Sequence, residues 1–365
     1  MRQLHPRILH EGRGPLPPLV RMALAPASWA YGGVIRLRGL LYRRGWIQAR
    51  QVPGRVVRVG HLTAGGTGKT SFVLLVARLL LQRGFRVAIV ARGYGGQREG
   101  HLLVVSDGKA ILASYPEVGD ELQVVAERLP TVPVLMAADR VAGCREAIGR
   151  FGADLILVDD GFQHLRLARD LNILLLDARN PFGYGALLPR GLLREPRSAM
   201  SRADIVVITG VEEGTDLSTL LAAVRRHNPH APICQASYRA VGLEEPAAGT
   251  LHPWSRLREE PVLAFAGLGN PESFHRTLQE VGARLAGYRV FPDHHRYSGR
   301  DLERLVAGAR RRGAGALVTT KKDEVRLRRL PCPIPLLVLA ASLEVQAGQE
   351  ALQAALNGLV GRGVP

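Results

Sequence analysis

The sequence is short of lysine, cysteine and aromatic residues and has no long apolar run, and each shortage closes off a class of protein. Its three cysteines, Cys144, Cys234 and Cys332, are widely separated, odd in number and never in C-x-x-C spacing. That argues against a disulfide framework and a structural zinc site and favours a reducing compartment. No stretch reaches the roughly 18 uncharged apolar residues that a spanning helix needs. Residues 1–17 are polar and proline-rich, without the apolar centre of a cleavable signal. A cytoplasmic protein that spans no membrane is therefore expected. Aromatic residues make up only 5% of the chain, which leaves no stacking platform for single strands, so nucleic acid is not an expected partner. Of 49 Lys plus Arg, only Lys69, Lys109, Lys321 and Lys322 are lysine. Such a bias replaces lysine with arginine wherever chemistry tolerates it, so the survivors are candidates for places where a compact ammonium matters.

What is present describes a globular protein. With 365 residues, 46% hydrophobic and 22% charged, the chain is long enough for two domains with separate cores. The formal charge of +17 attracts polyanions, among them an anionic membrane surface or a phosphorylated substrate. Arginine drift in genome composition is the competing explanation of that charge.

The rest of the chain is organised around V-G-H-L-T-A-G-G-T-G-K-T-S at 59–71. A β-branched run at 55–62 reads as a buried strand, the glycines as a turn, and the apolar stretch 72–81 as a packed helix, which is the setting of a phosphate-binding P-loop. Residues Thr63, Ala64, Gly65, Gly66, Thr67, Gly68, Lys69 and Thr70 are the candidate nucleotide cradle. Glycines let successive N–H groups converge on phosphate oxygens, and the following helix turns its positive end to the same anion. Lys69 is placed to reach the β- and γ-phosphates, and the Thr70 hydroxyl to hold Mg²⁺. Thr63 stands where the usual spacing has its first glycine, so the loop is a variant.

From residue 55 onward strands and helices alternate. Near-continuous Val/Ile/Leu runs at 55–62, 86–91, 132–137, 155–159, 172–177 and 205–209 predict a doubly wound, mainly parallel sheet covered on both faces. Ligands of such sheets bind beyond the carboxyl ends of the strands. At those ends lie R-G-Y-G-G, with Arg92 and Tyr94; G-D-E, with Asp120; and L-I-L-V-D-D-G-F-Q-H, with Asp159, Asp160, Gln163 and His164. Apolar residues ending in acid follow the Walker B pattern, in which a strand-tip carboxylate holds Mg²⁺. Strand alternation sends Asp159 and Asp160 to opposite faces, so their roles should differ. For Asp120 a plain helix N-cap competes with a chemical role. The long connection 177–196 reads as a binding loop, with Arg190, Arg194 and Glu195 as its candidates.

The predicted domains are a region at 1–50 carrying an amphipathic helix, a P-loop domain at 51–240, a linker at 241–258, a smaller α/β domain at 259–345, and a C-terminal helix at 346–365 that can return to the first domain. In the first of these, Val34, Leu37, Leu40 and Leu41 share a face flanked by Arg36, Arg38, Arg43 and Arg44, with Trp29, Tyr31, Tyr42 and Trp46 nearby. That pattern suits a helix lying in a membrane interface, and also one packed on the core. Asp293-His294-His295 follows a strand in the second domain. T-T-K-K-D at 319–323 has the form of the motif that reads guanine in GTPases, which makes a GTPase or ATP-driven switch without a lipid acceptor the rival reading.

Taken in one order, L-T-A-G-G-T-G-K-T, A-R-G-Y-G, G-D-E, V-D-D-G-F-Q-H, L-L-P-R-G-L-L-R-E-P, G-L-G-N-P, F-P-D-H-H and T-K-K-D resemble the tetraacyldisaccharide 4′-kinase family of lipid A biosynthesis. The chain departs from the family pattern at Ser71, Leu122, Arg190, Leu192 and Lys321. The resemblance implies phosphorylation of the 4′-hydroxyl of tetraacyldisaccharide 1-phosphate with ATP and Mg²⁺, by a peripheral protein at the cytoplasmic face of the bacterial inner membrane. It implies Asp120 as the base, oriented by His294, with Lys69 and Asp160 in the catalytic group. Thr70 and Asp159 would hold the metal, and Arg92, Tyr94, Gln163, His164 and Arg194 would contact the acceptor. An oligomeric state and an acyl-chain preference are not encoded in these motifs.

Overall fold

The computed structural model describes residues 17–65 and 68–360. The chain divides into two compact units, residues 1–237 with 345–365, and residues 238–344. The first opens with two helices, α1 (Pro18–Ala23) and α2 (Ala25–Arg43), each carrying a proline in its first turn, where the missing N–H costs nothing. Pro26 thus starts the longer helix, and the break falls at Leu24. No described helix is long and apolar enough to cross a membrane.

Then follow β1 (Arg55–His61), α3 (Lys69–Gln82), β2 (Val87–Ala91), β3 (Leu103–Asp107), α4 (Asp120–Arg128), β4 (Pro133–Met136), α5 (Arg140–Phe151), β5 (Leu155–Asp159), β6 (Leu171–Asp177), β7 (Ile205–Thr209) and α6 (Ser218–His227). Next comes β8 (Ile233–Glu245), whose first residues pair with β7. The strand order β8-β7-β6-β1-β5-β2-β4-β3 is parallel except at β3. The chain leaves β1 toward β2 on one side and returns to β6 on the other, so the order reverses at β1, where such sheets bind ligands. Ile156 and Val158 pack with Ala88 and Val90, and Leu174 and Leu176 with Val206 and Ile208, in two clusters on one face of the sheet, one to each side of the buried Arg58, while Val57, Val59, Leu157 and Ile173 are buried on the other face. The edge strand β3 was not anticipated, because its run of five residues is too short to stand out from the loop around it.

The second unit contains β10 (Val262–Ala266), α8 (Pro271–Glu280), β11 (Leu285–Val290), α9 (Gly299–Arg311), β12 (Ala316–Thr319) and α10 (Lys321–Leu327), and most of β13 (Leu336–Ala347). Strands β11-β10-β12-β13 are parallel. Residues 241–258, read from sequence as a linker, form the end of β8, a partner strand β9 (Thr250–His252) antiparallel to it, and the start of the short helix α7 (Arg256–Glu259). Of the residues that suggested a break, Glu244 and Glu245 end β8 opposite Leu251 and Thr250, and Pro246 and Gly249 lie in the turn of that hairpin. The final helix, α11 (Gln349–Asn357), belongs to the first unit, where Asn357 Oδ1 accepts from Arg83 Nε at 2.8 Å at the end of α3.

The second unit is knotted at Asp323, which is wholly buried. Its Oδ1 accepts from the Gly267 amide at 3.0 Å and the Tyr297 hydroxyl at 2.7 Å, and its Oδ2 from Thr320 Oγ1 at 2.6 Å. Arg326 lies 3.5 Å away and donates onward to the Gly267 carbonyl at 3.0 Å. Burial and the Asp323 carboxylate raise the Tyr297 hydroxyl far above its usual pKa, so it stays a donor. Removing the carboxylate strands a buried arginine, a hydroxyl and an amide. Asp323→Ala should cost about 3–5 kcal/mol in urea unfolding of the full chain, while Asp323→Asn should recover part of the loss.

Candidate active site

Parallel pairing of β1 with β5 sets Val59 opposite Asp159, so the glycine-rich turn and the acidic pair leave the sheet side by side. The turn after β5 folds over β1: the Gly161 amide donates to the Val59 carbonyl at 2.9 Å. A Cβ on Gly60 would lie 2.7 Å from the Phe162 backbone nitrogen, which is why no side chain fits there. Asp160 takes the left-handed conformation at φ 51°, which turns its carboxylate away from that of Asp159.

The connection between β6 and β7 is laid antiparallel along the chain entering the loop. Thr63 bridges Leu193, the Ala64 amide donates to the Leu192 carbonyl at 2.7 Å, and the Arg194 amide donates to the Leu62 carbonyl at 2.7 Å. Thr63 and Ala64, expected in the cradle, thus have backbone groups engaged by this loop. Gly65 at φ 136° and Gly68 at φ 78° hold conformations that suit glycine. Gly66 and Thr67 lie outside the described residues. Gly68 caps α3 without a side-chain bond, which suits the helix end to an anion.

Around this turn the charges form a line. Lys69 Nζ lies 2.8 Å from His61 Nε2, the same nitrogen lies 3.1 Å from Asp160 Oδ1, and Arg194 Nη1 donates to Asp160 Oδ1 and Oδ2 at 3.0 and 2.8 Å. Burial would raise the Asp160 pKa, but Arg194, Lys69 and His61 together hold it well below the usual carboxylate range. Asp159 goes the other way: burial, then the Glu121 charge, push it up to about 7. In the first turn of α3 the Thr70 hydroxyl is buried without a hydrogen-bond partner among the described residues. An unpartnered hydroxyl and a carboxylate short of positive charge fit a hard cation. No described cluster of three His, Cys, Asp or Glu could hold a metal ion, so a cation here would take its other oxygens from phosphate and water.

Asp120 is buried at the first position of α4, and its Oδ1 accepts from the Glu121 amide at 2.9 Å. The cap position itself is Gly119, so Asp120 is not the N-cap. The R-G-Y-G turn packs on this corner, since a Cβ on Gly119 would lie 2.4 Å from the Tyr94 carbonyl oxygen. Arg92 pairs with Glu99 at 2.9 Å, and the Tyr94 side chain is exposed. Gln163 and His164 face the strand: Gln163 Nε2 donates to the His61 carbonyl at 2.6 Å, and the His164 carbonyl accepts from the buried Arg58 at 2.8 Å. In the second unit His294 takes φ 56°, with its ring 3.8 Å from Asp293, while His295 stacks on Phe291 and bonds Asp301 at 3.3 Å. Asp323, the acid of T-K-K-D, is spent inside its own unit and has no face left to read a guanine base.

Sequence reasoning passed over His61 and Arg140. Arg140 is buried near both aspartates, with Nη1 donating to the Ala137 carbonyl at 2.8 Å. His61 was legible as a polar ring in the last position of a strand read as buried.

The raised Asp159 fixes a sign for stability. The folded chain keeps a proton there that the unfolded chain has released between about pH 4 and pH 7, so stability declines as pH rises through that window. In metal-free buffer Asp159→Asn should stabilise the protein at pH 8 by on the order of 2 kcal/mol and change little at pH 4, read by denaturant titration at each pH. A decrease at pH 8 would mean that the charge is compensated by the protein itself.

The tetraacyldisaccharide-1-P 4′-kinase family model matches residues 20–360. Among relatives, the tetraacyldisaccharide 4′-kinase of Syntrophus aciditrophicus is 44% identical over 81% of each chain. That of Geobacter metallireducens is 43% identical over 85% of this chain and 89% of its own. Among solved structures, LpxK from Aquifex aeolicus in complex with ATP superposes with a TM-score of 0.75 at 31% identity, covering 93% of this chain and 99% of that one. On these matches, the chain belongs to the tetraacyldisaccharide-1-P 4′-kinase family.

Proposed function

We propose that this protein transfers the γ-phosphate of ATP to the 4′-hydroxyl of tetraacyldisaccharide 1-phosphate. The observation that carries the reading is the line Lys69–His61–Asp160–Arg194, built on the buried His61, together with Asp159 and the unpartnered Thr70 hydroxyl, in a chain of this family. Backbone amides of the loop and Lys69 grip the triphosphate, and Arg194 fixes Asp160 at its edge. Thr70 and Asp159 would hold Mg²⁺, which would supply positive charge to offset that of the phosphates. A sugar hydroxyl is a weak nucleophile near neutral pH and gains from a positioned base. Asp120, buried at the start of α4, takes that proton, and His294 orients it. Arg92 and Tyr94 at the same rim are the acceptor contacts, joined by Gln163 and His164 at the base of the turn. The P-loop switch without an acceptor is disfavoured by the occupied Asp323.

Labelled γ-phosphate transfer to the lipid acceptor tests the reaction, with GTP in place of ATP as the control. Asp120→Ala and His294→Ala should each lower turnover by roughly 10²–10⁴-fold, and the double variant should lose little more than either one, as residues acting as a unit do. A near-silent His294→Ala would remove the dyad.

The acceptor is a membrane lipid, and the first two helices suit that. One face of α2 is bonded to the protein: Ser28 Oγ donates to the Leu187 carbonyl at 2.9 Å, Tyr31 Oη to the Arg194 carbonyl at 2.8 Å, and Arg38 pairs with buried Glu195 at 3.5 Å. Leu19 and Met22 on α1 and Trp29, Val34 and Leu37 on α2 are exposed. We assign this apolar face to an anionic bilayer at the cytoplasmic side of the inner membrane. Trp29→Ser/Leu37→Glu should abolish flotation with anionic vesicles while ATP binding persists; flotation equal to wild type would show that these side chains do not enter lipid.

A further inference from the structure

His61 is wholly buried at the end of β1 and has two claimants for one atom. Its Nε2 lies 2.8 Å from Lys69 Nζ and 3.1 Å from Asp160 Oδ1. A bare ring nitrogen accepts from the ammonium; a protonated one donates to the carboxylate. One tautomer cannot serve both partners. Protonating both nitrogens is no escape, because burial, with Lys69 and Arg194 nearby, pulls the imidazole down to about 3. The ring is therefore neutral, and the two arrangements differ only in which nitrogen carries the hydrogen.

What selects between them is the position of the Lys69 ammonium. It sits on a flexible stem at the first position of α3, within a loop whose purpose is to hold phosphate. With the loop empty, Nε2 is the acceptor within its reach. With a triphosphate in the loop, charged phosphate oxygens are stronger acceptors than a neutral imidazole. Once the ammonium leaves, a bare Nε2 would face the Asp160 oxygen lone pair to lone pair, which moving the ring hydrogen to Nε2 relieves.

We propose that His61 is a positioning residue that exchanges partners when nucleotide binds, accepting from Lys69 in the empty loop and donating to Asp160 in the filled one. The exchange releases one proton from Nδ1 and takes one up at Nε2, so no net charge is gained. Its consequence is that Asp160, gripped by Arg194 in either state, is held from a second side only when phosphate occupies the loop. The inference rests on the nucleotide reading of that loop and is independent of what the acceptor is.

The test uses the full chain with ¹⁵N-labelled histidine, with the His61 signals assigned by their loss in His61→Asn. Two-bond ¹⁵N–¹H spectra should show the Nδ1–H tautomer without ligand and the Nε2–H tautomer when Mg²⁺ and a non-hydrolysable ATP analogue saturate the loop. The same tautomer in both states overturns the proposal. In kinetics His61→Leu should lower kcat roughly tenfold, through loss of the second hold on Asp160, while KM for ATP stays level or falls because nothing competes for Lys69. A rise in KM together with a loss of folding stability would mark His61 as a core residue only and also overturn it. Normal transfer to the lipid acceptor with an unchanging tautomer removes the exchange and leaves the kinase reading intact; a tautomer change without transfer does the reverse.

Discussion

Two adjacent carboxylates at the tip of one strand, Asp159 buried and Asp160 partly so, set the terms for everything around them. Either charge alone in such a place costs several kcal/mol, so each needs its own remedy. Asp160 has one within the protein, since Arg194 contacts both its oxygens from a single nitrogen while His61 approaches from the other side. Asp159 has no ion pair of that kind among the described residues: its carboxylate accepts from the Asp160 amide at 2.7 Å, and burial and the Glu121 charge outweigh the more distant Lys69 and Arg140. The pair is thus one finished ion pair and one unfinished site. That asymmetry is what a metal-dependent transfer needs, because the settled carboxylate gives the geometry and the unsettled one gives affinity for the ion.

The loop that supplies Arg194 also joins the two ends of the problem. Residues 187–195 bond to the chain entering the P-loop on one side and to α2 on the other, through the carbonyls of Leu187 and Arg194 and the carboxylate of Glu195. Glu195 is itself buried, and it is paired with Arg38 and with Arg202, the latter at 2.6 Å. The opposite face of the same helix carries the exposed Trp29, Val34 and Leu37. The exposed apolar face of α2 and Arg194 are therefore separated by about one helix diameter, roughly 10 Å. A kinase whose acceptor keeps its acyl chains in a bilayer gains from that short span, since the sugar need not leave the interface to meet the nucleotide.

How much of this was legible depended on whether a residue acts through pattern or through register. Largely apolar runs of five to seven residues marked β1, β5, β6 and β7 to within a residue, because a parallel strand buried on both faces has few other ways to be written. Asn270 and Pro271 are the cap and first residue of α8, a local arrangement of the kind a sequence carries plainly; Asn270 Oδ1 accepts from the Ser273 amide at 3.3 Å. The partners of the site were not local. Nothing near Ala64 says that Leu192 will take its amide, and nothing in T-K-K-D says that Tyr297 and Gly267 will fill its aspartate. The hairpin of β8 and β9 was hidden for the same reason, since charged turn residues and a true linker have the same composition.

The scarcity of lysine also looks different once the contacts are known. Lys321 makes a 3.0 Å pair with buried Glu324, so one of the four survivors serves structure, while Lys109 contributes its backbone amide, which Asp107 holds at 2.8 Å. At Lys69 the choice has a chemical reason. Arginine does well where one carboxylate must be held in a fixed direction, as Arg194 holds Asp160 through Nη1, because its planar guanidinium loses little freedom per bond. The P-loop cation faces a different demand, since in the empty loop it rests on a neutral ring nitrogen 2.8 Å away and in the filled loop it must reach phosphate. A fork would still reach phosphate, but its second arm would stay with Asp160 and pull the carboxylate along. A compact ammonium on a flexible stem can change partners and leave the carboxylate where Arg194 holds it.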